Sequence, residues 1–262
     1  MARMTTEQAT STELTGGTGF TFEDRVVTYY LAALLREEKA AGQTGFVTGV
    51  AVQQGQAHPM DDIIVEFSED AARRVLGLQV KSQLRITAAA SNSDFREIMA
   101  AAVATRQMPE FQEGKDAYGF AAEMVAVEPL RSFNRLIDWA KSSPTGDEFA
   151  RRFEKGGSAA AAERGLRKEL FPLTGATSAS DEATFYRQFV ALHMDGLAEG
   201  GTLRSELFNR LQELVASNED GQDLLLFDRL CRIARDGAAS GRKWTRQTLL
   251  AQLRGAVRLT VV

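Results

Sequence analysis

Four polar positions, Glu23, Asp62, Gln79 and Lys81, carry side chains that suit one kind of chemistry. In His58-Pro59-Met60-Asp61-Asp62-Ile63-Ile64-Val65 an acid stands at the mouth of an apolar strand. In Leu78-Gln79-Val80-Lys81 a period of two puts Gln79 and Lys81 on one face, with Leu78 and Val80 on the other. Glu23 heads an apolar helical stripe that continues through Val27, Tyr30 and Leu34. A hard divalent cation takes oxygen ligands of the kind that Asp62, Glu23 and the Gln79 side-chain carbonyl offer. Such an ion withdraws charge from a phosphate and acidifies a bound water. A lysine beside it orients that water and stabilises the negative charge of the transition state. The set therefore suits phosphodiester hydrolysis. A neutral Gln79 where a carboxylate is more usual implies weaker ion binding. Singly, each residue has an ordinary explanation: Glu23 as a first-turn acid, Asp61-Asp62 as a turn, Lys81 as an exposed strand end. The case rests on their order and placement.

The elements that must position them follow from periodicity. Thr21 is a plausible N-cap with Asp24 three residues on, and the pattern predicts a helix from Phe22 to about Lys39. Three short β-rich stretches follow, Phe46 to Gln54, Asp62 to Phe67 and Arg74 to Lys81, with gaps short enough for an antiparallel meander. Ser93 opens a second helix, and a fourth strand spans Tyr118 to Val127. A helical crossover makes the third and fourth strands parallel. The remainder reads as mostly helical: Phe133 to Lys141, Asp147 to Glu154, Ala159 to Leu170, Leu203 to Ser217, Asp223 to Arg235 and Trp244 to Val257. Gln188 to Met194 is a candidate extra strand. The expected division is a leader at 1–15, an α/β core at 16–130 and a helical part at 131–262. The blunt end at Leu259-Thr260-Val261-Val262 suggests a downstream module.

The totals narrow the classes. With 262 residues, 44% hydrophobic and 25% charged, a sizeable core is affordable. No apolar run approaches a membrane span, and the N-terminus lacks the pattern of a signal peptide. Cys231 is the only cysteine, which excludes an intrachain disulfide and paired-cysteine zinc sites. A cytoplasmic location is the default. No phosphate loop, dinucleotide fingerprint or nucleophile elbow is present, and His58 and His193 read as ordinary loop or strand residues. The net charge of −4 counts against tight stand-alone binding to a polyanion. Between Arg229 and Arg258, however, eight basic residues face one acid, Asp236. Solvated helix faces explain such a run as well as a DNA-lining surface does.

Gly19-Phe20-Thr21-Phe22-Glu23-Asp24-Arg25-Val26, Asp61-Asp62-Ile63, Leu78-Gln79-Val80-Lys81-Ser82 and Ser93-Asp94-Phe95 resemble, in order and spacing, a known group over about residues 16 to 108. These are the Mrr-like and Cap-like PD-(D/E)XK nuclease domains at the N-termini of bacterial anti-phage proteins, many of which continue into a NACHT-type STAND ATPase. The resemblance implies a restriction-endonuclease-like α/β core and Mg²⁺-dependent (or Mn²⁺-dependent) cleavage of double-stranded DNA. It also implies activation through a downstream oligomerising module. Asp62 would match the PD aspartate, Gln79 the (D/E) position, Lys81 the lysine and Glu23 the helix acid. Met60-Asp61 precedes Asp62 where the family has its dipeptide, so Asp61 is the alternative metal ligand. The strongest rival reading is a non-catalytic nuclease-like module that positions a protein or nucleic-acid partner; the acidic total favours it and the intact four-residue set argues against it.

Overall fold

The computed structural model describes residues 20–55, 57–70, 72–197, 200–216 and 221–260. The expected leader at 1–15 and the glycine-rich stretch at 16–19 lie outside them. Helix α1, Phe22–Arg36, starts at the expected capping box. Thr21 Oγ1 accepts the Asp24 N–H, and the Asp24 carboxylate accepts the Thr21 N–H in return. Glu37 ends the helix in the left-handed region. Every residue from Val26 to Leu35 is buried, so α1 is enclosed rather than half-exposed.

Strands β1 (Phe46–Val52), β2 (Ile63–Glu69) and β3 (Ala72–Leu84) form the predicted antiparallel meander. The β2–β3 register runs from Ile63 opposite Leu78 to Glu69 opposite Ala72, with Asp70 left-handed in the connection. Helix α2, Ser93–Arg106, then crosses to β4, Ala117–Val125, which pairs parallel to β3 as expected. Helices α3 (Val127–Ser142), α4 (Gly146–Arg151), α5 (Ala161–Leu170) and α6 (Ala179–Arg187) lead to β5, Phe189–His193. This strand matches the apolar run from Gln188 and pairs parallel to β4. Helices α7 (Thr202–Leu214) and α8 (Gln222–Ala238) precede β6, Lys243–Trp244, and α9, Arg246–Leu253. Trp244, expected at a helix start, instead pairs with Val50 of β1. The result is a mixed α/β fold around a six-stranded sheet in the order β5-β4-β3-β2-β1-β6.

Two apolar cores lie on the two faces of the sheet. Leu76 and Leu78 of β3 join a core with α1, α7, α8 and α9. Val75 packs on the other core, built with α2 to α6. The period of two in β3 thus divides the layers, and the helices that follow residue 130 are shared between both. No described helix is long and apolar enough to cross a membrane.

Candidate functional site

Asp61 and Asp62 lie just ahead of β2, where its ladder with β3 stops at Ile63 opposite Leu78. Beyond that point their side chains take over. The Val80 N–H donates to Asp62 Oδ2 at 2.7 Å, and Gln79 Nε2 donates to Asp61 Oδ1 at 2.6 Å. The backbone carbonyls of the same two aspartates accept the N–H groups of Gln54 and Gln53, which tie the end of β1 to the start of β2. Gln53 adopts a left-handed backbone there (φ 50°). The aspartate pair therefore knits three strand ends together.

The expected shared face for Gln79 and Lys81 is present. It is the α2 face, since Lys81 Nζ stands 4.0 Å from Asp94 in the first turn of α2. Glu23 belongs to α1 and therefore to the other layer. It lines a cavity of about 230 Å³ with Thr21, Phe22, Val80 and Ser82, and its carboxylate accepts from Gln53 Nε2 at 2.8 Å. The structure thus brings Asp61, Asp62 and Gln79 together at the strand ends. It sets Lys81 on the α2 side and Glu23 on the α1 side.

The donor set that the resemblance assigns to Mg²⁺ makes hydrogen bonds within the chain. One oxygen of Asp62 faces a backbone N–H, and Gln79 turns its amide nitrogen toward Asp61. Among the described residues, no three or more His, Cys, Asp or Glu side chains are grouped to hold a metal ion.

Three residues of the basic segment have partners within the chain. Arg235 pairs with Asp24 of α1 at 2.7 Å, and Lys243 pairs with Glu66 of β2 at 2.7 Å. Arg246 Nε donates to the Leu35 carbonyl at the end of α1. Two cations, Lys243 and Arg73, hold the half-buried Glu66 carboxyl below the usual carboxylate range, against the upward push of its burial. Gly49, at the irregularity in β1, admits this carboxylate, because a Cβ there would stand 2.7 Å from Glu66 Oε2. These charges tie the C-terminal elements to α1 and to the edge of the sheet.

A second cavity escaped the sequence reading. It measures about 200 Å³ and lies on the α2 face over β2, β3 and β4. His58 reaches it from the β1–β2 connection, Thr105 from the end of α2, and Met108 and Phe111 from the loop that follows. Burial lowers the His58 pKa, so its ring is neutral at pH 7. Its Nδ1 accepts the Met60 N–H, which places the ring proton on Nε2. Nothing in the spacing of residues 58, 105 and 111 announces that the fold gathers them.

No protein-family model and no curated protein sequence matches this chain. Solved structures do. One is an Acinetobacter baumannii Cap4 SAVED/CARF-domain-containing receptor with the cyclic trinucleotide 3'3'3'-cAAA. The match has a TM-score of 0.50 and 11% identity, and covers 91% of this chain and 46% of that one. Another is the same receptor with 2'3'3'-cAAA, at a TM-score of 0.51 and 11% identity, covering 92% of this chain and 45% of that one. The chain spans less than half the length of these structures, and at this identity the likeness is one of fold. They are described as cyclic-trinucleotide receptors rather than as PD-(D/E)XK nucleases. That finding corrects the nuclease resemblance, and with it the reading of a DNA endonuclease with double-stranded DNA as partner. In this chain Asp61 and Asp62 join strand ends, and Arg235 and Lys243 pair with the chain's own acids.

Proposed function

We propose that this chain is a non-catalytic binding module, a nuclease-like α/β layer that recognises a nucleotide ligand within a longer cytoplasmic anti-phage receptor. The observation that carries the reading is the pair of contacts from Asp62 to the Val80 N–H and from Asp61 to the Gln79 amide. They give the most suggestive acids of the sequence a structural task. The mixed α/β order of helix, three strands, helix and strand then serves as a scaffold, as one fold commonly hosts unrelated functions. The nucleotide class comes from the ligands named for the similar structures, 3'3'3'-cAAA and 2'3'3'-cAAA.

The test is calorimetric titration of the full chain with each cyclic trinucleotide, with and without Mg²⁺. Saturable binding with a Kd of roughly 10 μM or tighter, equivalent to about −7 kcal/mol, is the expected result, and Mg²⁺ should change it less than threefold. Absence of binding to both nucleotides at millimolar concentration would overturn the ligand assignment.

A further inference from the structure

The cavity on the α2 face has the features of a built site. Its floor is aliphatic, from Ile64 of β2, Val75 of β3 and Ala117 of β4. Met108 and Phe111 supply a polarisable and an aromatic wall. Thr105 lines it and is 1% exposed, yet its hydroxyl has no hydrogen-bond partner. A buried hydroxyl without a partner is destabilising, and a fold that keeps one has a use for it or holds a water there. Across the cavity the neutral His58 ring offers its Nε2–H. Asp116, by contrast, is already satisfied, with its two oxygens accepting the N–H groups of Val75 and Gln112 at 2.8 Å each.

We infer that this cavity binds one small, planar, neutral heteroaromatic ring of nucleobase size, stacked on Phe111 and read at its edge by Thr105 and His58. Three observations select this class. A volume of about 200 Å³ is smaller than the roughly 300–1,000 Å³ of sites for drug-sized ligands, so a single ring system fits and a whole trinucleotide does not. Beside the Arg73, Glu110 and Gln112 side chains that also line the cavity, the Thr105 hydroxyl and the His58 imidazole N–H suit a neutral edge carrying both donors and acceptors. An aromatic wall favours a flat π surface. The inference deepens the proposed function by naming the part of a nucleotide ligand that this cavity takes, and it rests on that reading for the choice of probe.

The experiment titrates the full chain with adenosine and follows heat and the amide resonances of residues 58, 105 and 111. Saturable binding that perturbs these three is expected. Thr105→Val, which keeps the shape and removes the hydroxyl, should weaken adenosine binding about tenfold, whereas Thr105→Ser should stay within about threefold of wild type. Equal affinity in wild type and a folded Thr105→Val variant would overturn the inference, and so would the absence of any adenosine binding. If a cyclic trinucleotide binds while adenosine does not, this cavity is wrongly assigned and the binding-module reading stands. If neither binds, both fail.

Discussion

Replacing Gly119 with alanine is expected to abolish cooperative folding or to lower stability by more than about 3 kcal/mol, at the upper end of overpacking effects. Gly119 sits in β4, opposite Leu78 of β3 on one side and Val190 of β5 on the other. A Cβ there would stand 1.7 Å from the Val190 carbonyl oxygen and 2.7 Å from its carbon. Both are backbone atoms of a hydrogen-bonded strand, so no side-chain rotation relieves the clash. Either β5 leaves the sheet or β4 shifts. The neighbouring rings magnify the damage, because Tyr118 and Phe120 pack against Phe189 at 5.7 and 6.0 Å. Thermal unfolding monitored by circular dichroism measures the effect. A Gly119→Ala protein that melts within 2 °C of wild type would show that β5 is not seated as described.

Arg167→Met should cost about 3–5 kcal/mol, the range for stripping one partner from a buried ion pair. Glu182 is fully buried on α6, and its carboxylate receives Arg167 Nη2 at 2.6 Å and Nε at 3.0 Å. The guanidinium also lies over the Phe153 ring, 4.5 Å from its centroid, which fixes the fork in place. Methionine preserves much of the apolar stem but leaves a carboxylate in the core with nothing to balance it. A fall in Tm of roughly 10 °C follows for a chain of this size. The double variant Arg167→Met with Glu182→Leu should recover most of the loss, since apolar replacement of a whole buried pair is often neutral. Equal destabilisation in the single and double variants would mean that the arginine acts only by packing.

The first half of the fold was open to inference from local pattern. The Thr21 capping box, the three-strand meander and the parallel return of β4 are all short-range features, or follow from a crossover rule that leaves few alternatives. The apolar run at β5 was visible for the same reason. β6 was not, because two residues carry no periodicity and Trp244 reads equally well as the start of the helix behind it. Burial of α1 on every side was hidden too, since it depends on α7 to α9 folding back from the far end of the chain.

The candidate site was legible in its residues but not in their use. The period of two correctly placed Gln79 and Lys81 on one face of β3. It carried no information on which helix layer that face meets, and Glu23 turned out to belong to the opposite layer. Acids at strand mouths serve a metal or finish an interrupted ladder with the same spacing, and the Val80 and Gln79 hydrogen bonds that show the second use depend on the fold. The Thr105 cavity left no trace in sequence because its walls come from a loop, a helix end and three strands far apart along the chain.

Supercoiled plasmid incubated with the full chain and Mg²⁺, beside Lys81→Ala and Asp62→Asn variants, tests the central claim of binding without catalysis. The binding-module account expects the plasmid to remain supercoiled with all three proteins at every concentration. Mg²⁺-dependent nicking by the wild-type chain that disappears in a folded Lys81→Ala variant would contradict it.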